Sequence, residues 1–227
     1  CVVENYPKED DSTHITSIDI QGGGAVATAL VASSKLGKKS VFIGNIGSDY
    51  VSKEIVSLFK KDGVDTSFMI ERKDSWGLES FVMVNPLNGS RTKFPERDFN
   101  PPIDWNERLE KVIESSRVLH LDGTNWTNAV KASEIAHKKG VLVSLDGCSM
   151  QSDNEKNKFL ASQADILIMN KKYPLRVSGK SSYEEALLEM SSWGPKVVIC
   201  TLGEEGSLAV INGKVKKFKA YKANAVV

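Results

Sequence analysis

Residues 164–206 read ADILIMNKKYPLRVSGKSSYEEALLEMSSWGPKVVICTLGEEG. An apolar run ends at Asn170, a helical stretch follows in YEEALLEMSSWG, and a second apolar run ends at Thr201 before a turn with glycines at 203 and 206. The same strand–helix–strand rhythm runs through the residues before it. RVLHLDG (117–123), helix NAVKASEIAHKKG (128–140), VLVSLDG (141–147) and helix NEKNKFLASQ (154–163) alternate in order. The strands are short and apolar nearly throughout, as expected for a sheet covered by helices on both faces. This pattern predicts an α/β fold with a mainly parallel sheet.

The first hundred residues have a different texture. THITSIDIQ (13–21) reads as a half-buried strand, and GGGAVATALVASSKLG (22–37) as a tightly packed helix of small residues that Gly37 ends. KSVFIGNIGSD (39–49) reads as one short buried strand and a glycine turn. DYVSKEIVSLFKKDG (49–63) spaces Val51, Ile55, Leu58 and Phe59 as an amphipathic helix does, with Asp49 as cap and Gly63 as close. SWGLESFVMVNPLNGSRTKF (75–94) reads as two strands joined by a turn at 85–90. The proline-rich stretch 94–105 reads as a loop into the helix NERLEKVIESS (106–116).

Composition narrows the class. The 227 residues are 41% hydrophobic and 26% charged, enough for one large domain or two small ones with a real core. Thirty basic against 29 acidic residues leave a net charge of +1, which gives no reason to expect nucleic acid or an anionic membrane as partner. No run approaches the roughly 18 apolar residues of a membrane span. The opening CVVENYPKEDD lacks the pattern of a signal peptide. Three widely spaced cysteines, Cys1, Cys148 and Cys200, argue against a disulfide framework or a zinc site, and a reduced cytoplasmic protein is expected.

The chemistry is expected at the strand ends, because ligands of open α/β sheets sit beyond the carboxyl ends of the strands. Those ends read LHLDG, VSLDG, LIMN and ICTLG, each with a polar residue or a glycine. Strand-to-helix turns use Asp, Asn and Gly for caps and backbone freedom in any case. Four in succession, with a glycine-rich helix start upstream, favour a ligand crevice. His14, His120 and His137 show no metal-ligand spacing, and His120 with Asp122 is the one histidine pair near that crevice.

Four features, in order and spacing, resemble the ribokinase (PfkB) family of sugar kinases. QGGGAVATALVASSKLG followed by VFIGNIGSDYVSKEIVSLFKKDGVDT is similar to the family's Gly-Gly helix, Gly-x-Asp turn and Gly-Val-Asp-Thr helix end, here Gly23-Gly24, Gly47-Ser48-Asp49 and Gly63-Val64-Asp65-Thr66. The β-rich insertion resembles the family's lid, expected over residues 13–20 and 77–94 within one ribokinase-like domain spanning 1–227. ADILIMNKKY is similar to the strand whose Asn opens an Asn-x-x-Glu motif, and TLGEEG to the Thr-x-Gly-x-x-Gly nucleotide turn. The resemblance implies a three-layer ribokinase-like sandwich with a small β lid, and phosphorylation of a primary hydroxyl of a small sugar by ATP with Mg²⁺. It implies Asn170, Thr201, Gly203 and Gly206 at the nucleotide and Gly23, Gly24 and Thr28 at the sugar. A nucleoside kinase of the same superfamily, or a non-catalytic binding protein with the same fold, are the alternatives.

Departures from the family pattern carry expectations of their own. Thr28 stands where an Asn usually bonds a sugar hydroxyl, and Tyr173 where the Glu of Asn-x-x-Glu arranges water around Mg²⁺. The strand end LDGCSM lacks the Asn and Arg that often follow Asp; a forked Arg is the preferred phosphate partner, so an unphosphorylated sugar is expected, with Arg91 as the alternative phosphate contact. The family's catalytic Asp falls after Val227, and the first strand is expected to be incomplete. The lid strand carries apolar groups on both faces: Leu78, Ser80, Val82 and Val84 on one, Glu79, Phe81 and Met83 on the other. That pattern, and the lid-mediated dimers of the family, predict a homodimer through the lids.

Overall fold

The computed structural model describes residues 1–73, 76–95, 101–148 and 151–222. The loop expected at 94–105 falls partly outside them, as do the last two residues of LDGCSM and residues 223–227. The chain divides into two compact units, Cys1–Pro101 and Pro102–Lys222.

The first unit contains β1 (Val2–Val3), β2 (Ile15–Ser17), α1 (Ala25–Lys35), β3 (Ser40–Val41), β4 (Gly44–Ile46), α2 (Tyr50–Lys61), β5 (Val64–Asp65), β6 (Met69–Glu71), β7 (Ser80–Val84) and β8 (Arg91–Pro95). A four-stranded sheet runs in the order β2-β1-β7-β8, and two small parallel pairs join β3 to β5 and β4 to β6. The expected hairpin is present, with β7 and β8 pairing antiparallel from Ser80↔Pro95 to Val84↔Arg91. Helix α2 forms because Asp49 caps it, accepting from the Ser52 amide, while Lys60 and Lys61 sit at the negative end of its dipole. Gly63, at φ 75°, then turns the chain where a side chain would be strained. Inside, the Phe42 and Phe59 rings pack 5.0 Å apart.

Three readings of this half differ from the structure. The strand at 15–17 has no buried residue, because it is the edge of its sheet and its one neighbour has two residues. The single strand expected within 39–49 is two pieces with different partners, since the Phe42 ring folds over Gly44, where a Cβ would fall 2.6 Å from Phe42 Cε1. Helix α1 begins directly after Gly24, yet none of its residues is fully buried, so its small side chains do not make it a core helix.

The second unit contains α3 (Glu107–Glu114), β9 (Val118–Leu121), α4 (Trp126–Lys138), β10 (Leu142–Asp146), α5 (Asn154–Ser162), β11 (Ile166–Asn170), α6 (Tyr173–Ser178), α7 (Tyr183–Ser192), β12 (Val197–Thr201), a 3₁₀ turn (Gly203–Glu205), β13 (Ser207–Ile211) and β14 (Lys214–Phe218). One six-stranded sheet runs β14-β13-β12-β11-β10-β9. Strands β9 to β12 are mutually parallel; β13 and β14 add antiparallel on the far side. Strands β11 and β12 bury alternate residues, Leu167 and Met169 beside Val198 and Cys200, with Leu208 and Val210 of β13 continuing the row. Tyr173, Val177, Leu187 and Met190 from α6 and α7, and Leu160 and Ala161 from α5, complete that core. Helices α3, α4, α5 and α7 open on Asn106, Asn125, Asp153 and Ser182, each accepting a hydrogen bond from an amide of the first turn. Helix α6 has Pro174 in its first turn, where no intrahelical N–H is needed.

All five residues of β14 are exposed, and it forms one edge of the sheet. The three cysteines are free; Cys200 is fully buried, and burial pushes its thiol up to about 11. No helix among the described residues is long and apolar enough to cross a membrane.

Candidate functional site

The carboxyl ends of β9 to β12 lie side by side, as parallel pairing requires. Register carries the polar residues onto one face, because residues two apart on a strand point the same way. His120 is paired with Ser144, Asp146 with Ile168, and Asn170 with Thr201. The four strand ends singled out by sequence therefore form one continuous polar edge of the second unit.

Asn170 and Thr201 are both exposed at that edge. Asn170 Oδ1 accepts from the Lys172 amide at 2.8 Å, an Asx turn that bends the chain into α6. Its carbonyl is thus committed locally, and the amide NH₂ is the part that suits a ligand. The Thr201 hydroxyl donates to the Met169 carbonyl across the strand pair at 3.3 Å, and its lone pairs are available to a donor.

The two glycines of the turn differ. Gly206 stands at φ 93°, and a Cβ there would fall 2.0 Å from the Phe218 carbonyl oxygen and 2.8 Å from the Ala220 nitrogen. It is glycine because the chain leaving β14 passes against it. Gly203, at φ 65°, has no heavy atom within 4 Å of where its Cβ would be. Its surroundings are open, and bare backbone there faces free space. The turn is closed by Leu202 N–H donating to Gly206 O at 2.8 Å and Gly206 N–H to Gly203 O at 3.0 Å, and Glu204 and Glu205 are exposed.

Tyr173 is buried, 2% exposed, and its hydroxyl donates to the Asn157 carbonyl at 3.3 Å. Burial pushes its ionisation far above the ordinary range. A Cβ at Gly147 would lie 3.0 Å from the Tyr173 ring, so the ring fills the space beneath the end of β10. The position holds a packed, neutral side chain and offers no carboxylate to a metal. At the ends of β9 and β10 stand Asp122 and Asp146, and Asp122 Oδ1 accepts from the Thr124 amide. No cluster of three or more His, Cys, Asp or Glu suited to a metal occurs among the described residues.

His120 Nδ1 lies 3.1 Å from Ser144 Oγ. Burial lowers its pKa, and the Asp146 and Asp122 carboxylates offset part of that shift. Sequence reading noticed His120 with Asp122 but not Ser144; the cross-strand partner follows only from register.

Gly23, Gly24 and Thr28 sit in the first unit, all exposed. Gly24, at φ 93°, is the N-cap of α1, and the Thr28 amide donates to its carbonyl at 2.9 Å, which places Gly24 and Thr28 in one helical turn. Nothing lies within 4 Å of a Cβ built at Gly23. Arg91 is exposed at the start of β8.

The chain matches the profile described as pfkB family carbohydrate kinase over residues 1–227. It is 30% identical over 221 residues to a 5-dehydro-2-deoxygluconokinase of Clostridium botulinum (strain Alaska E43 / Type E3), covering 88% of this chain and 65% of that protein. Over 234 residues it is 26% identical to a ribokinase of Staphylococcus aureus (strain COL), covering 99% of this chain and 75% of the relative. A nucleoside kinase of Methanothermobacter thermautotrophicus is 27% identical over 234 residues, with 99% and 72% covered. Among solved structures, Arabidopsis thaliana ribokinase complexed with ribose and ATP superposes with a TM-score of 0.80 at 22% identity, over 100% of this chain and 76% of that one. A ribokinase II of E. coli in complex with ATP and Mg²⁺ gives 0.74 at 17% identity, over 94% and 74%. At these identities the structural likenesses speak for the ribokinase fold. The chain spans about two thirds of the length of the clostridial relative.

Proposed function

This chain belongs to the pfkB family of carbohydrate kinases, and from that membership we propose that the protein transfers the γ-phosphoryl of ATP to a primary hydroxyl of a small, unphosphorylated sugar. The observation that carries the reading is the pairing of Asn170 with Thr201 at one strand-end edge, next to a turn whose Gly203 is open to approach. Asn170, Thr201 and Gly203 hold the nucleotide in this proposal; Gly206 serves it by keeping the turn closed against β14. Gly23, Gly24 and Thr28 receive the sugar, where bare backbone and a short hydroxyl suit an approaching polyol. Phosphoryl transfer asks the protein mainly for positioning and electrostatic stabilisation, with a base for the acceptor proton.

Mg²⁺ would supply charge neutralisation between the phosphates. It is usually bound through one or two carboxylates plus phosphate oxygens and water. Asp146 and Asp122 fit that modest requirement, whereas Tyr173 does not. The residues at 13–20 and 77–94 serve as a lid that excludes water from the acceptor. Thr28 in place of Asn leaves the sugar's hydroxyl pattern open, and a nucleoside kinase of the same superfamily is the second reading, favoured by the nucleoside kinase relative.

Full-length protein assayed with ATP against ribose, fructose, fructose 6-phosphate and adenosine discriminates these readings. Preference for an unphosphorylated sugar is expected; preference for fructose 6-phosphate would remove the unphosphorylated-substrate assignment and point to Arg91. Gly203→Ala adds a methyl in open space but at a φ of 65°, which costs an alanine about 1–2 kcal/mol, so it is expected to lower stability by that amount, leave the protein folded and raise KM for ATP roughly three- to tenfold. Gly206→Ala meets backbone and is expected to disrupt the turn itself. A folded Gly203→Ala with unchanged KM for ATP would mean the turn is not at the nucleotide.

A further inference from the structure

Asp49 does more than cap α2. Its Oδ1 accepts from the Ser52 amide at 2.8 Å, which is the ordinary N-cap bond. Its Oδ2 accepts twice: from the Ser52 hydroxyl at 2.8 Å and from the amide of Gly77, 28 residues along the chain, at 3.0 Å. The Ser52 hydroxyl in turn accepts from the Gly47 amide at 3.0 Å, and Ser52 is 1% exposed. One carboxylate therefore joins three segments: the turn before α2, the first turn of α2, and the root of β7.

A second observation is independent of these hydrogen bonds. Gly77 is buried against the backbone of α2. A Cβ there would fall 2.5 Å from the Ser52 nitrogen and 2.7 Å from the Val51 carbonyl carbon. Neither atom can move without breaking the helix start, so the contact is specific to glycine. Three residues on, β7 begins and carries β8 and β1 by pairing. Whatever fixes Gly77 fixes the direction in which that sheet leaves the α2 start.

We propose that Asp49 is a positioning residue that clamps the root of the β7–β8 arm to the first turn of α2 and so sets the arm's orientation for acceptor binding. The inference rests on the reading of that arm as the lid. A cap alone would be served equally by Ser or Asn; only a carboxylate offers a second acceptor oxygen for the Gly77 amide. Desolvation raises the Asp49 carboxyl's pKa, but the hydrogen bonds from Ser52 and Gly77 outweigh it and hold the group below its ordinary 3.8.

Hydrogen exchange on the full-length protein tests the clamp first. The Gly77 amide is expected to exchange at least about a hundredfold more slowly than in an unstructured chain. Exchange at the unstructured rate would overturn the proposal without any variant. Asp49→Asn keeps the Oδ1 cap and replaces Oδ2 with a donor. It is expected to speed exchange at Gly77 and through β7 by about tenfold, with the amides of α2 unchanged. Asp49→Ser, a competent cap too short to reach Gly77, is expected to do the same. Kinetics then separate clamp from scaffold: KM for the sugar is expected to rise roughly threefold or more, with KM for ATP unchanged. Unaltered exchange at Gly77 in both variants overturns the clamp, and faster exchange with an unaltered sugar KM overturns the positioning role. A wild-type protein that phosphorylates nothing would remove the kinase reading instead, and leave the exchange result standing.

Discussion

Strands β11 and β12 each bury two residues completely, while β2 and β8 bury none. Both pairs belong to sheets of the same chain, and each strand is five residues or fewer. The difference lies in what covers them. The six-stranded sheet has α6 and α7 laid across Leu167, Met169, Val198 and Cys200, so every second side chain is removed from water. The four-stranded sheet leaves Ile15, Phe81 and Phe94 about half exposed, at 48%, 46% and 53%. The Phe81 and Phe94 rings contact each other at 6.2 Å across the hairpin, a local contact without a core behind it. One sheet is held by burial. The other is held mainly by pairing and by its attachment at Gly77, with Val3 of β1 as its one buried residue among those described.

The largest effect that separates the two sheets is side-chain truncation. Leu187→Ala removes a fully buried side chain from the helix-covered core and is expected to cost about 2–5 kcal/mol in urea unfolding of the full-length protein. Phe94→Ala in the four-stranded sheet is expected to cost less than about 1 kcal/mol. Equal losses would mean that the exposed sheet is covered in solution. That outcome would sharpen the case for a second copy.

A smaller effect concerns pH, and it belongs to the six-stranded sheet. His120 has its pKa lowered in the folded state, so above the ordinary 6.5 both folded and unfolded forms are neutral and stability is complete. As pH falls below 6.5 the unfolded chain takes up a proton that the folded one resists, and stability declines down to the folded pKa. Asp146 and Asp122 limit the decline by favouring the charged ring. His120→Asn is expected to flatten this part of a stability–pH curve. A curve of unchanged slope in the variant would mean that Ser144 and the two carboxylates compensate the buried ring fully.

The smallest effect on the fold itself is expected at the exposed sheet. Phe81→Lys with Met83→Lys should leave unfolding of the second unit unchanged while converting a homodimer to monomers in sedimentation equilibrium. A wild-type protein already monomeric at tens of micromolar would end the lid-dimer proposal, and Phe81 and Phe94 would then be free to serve the acceptor side.

The repetitive half was legible because its strands and helices are signalled by local pattern: apolar runs ending in Asp-Gly, Asn or Thr, with a capped helix after each Asp-Gly end. Helix α6 leaves no such trace, since it has six residues, no side-chain cap and a proline in its first turn, where one is tolerated. Outside the β7–β8 hairpin the first half was less legible, because strands β1 to β6 are two or three residues long and gain their identity from partners far along the chain, as β3 does from β5 and β4 from β6. At the candidate site, Asn170, Thr201 and Gly203 could be named from motif order. The distinction between Gly203 and Gly206 could not, since both read as turn glycines until the Phe218 carbonyl is found against one of them. Asp49 read correctly as a cap, but its bond to Gly77 spans 28 residues and leaves no periodic trace.

The outermost strand, β14, reads KVKKF, with Lys214, Lys216 and Lys217 all turned to water at the border of the six-stranded sheet. A border strand offers a row of unpaired amides and carbonyls to any extended chain that drifts past. Aligning two such borders would bring lysines of both molecules together, and like charges set opposite each other across a strand pair are repulsive. The strand thus discourages uncontrolled stacking of one molecule on the next, a safeguard that strengthens at low salt and fades as ions screen it.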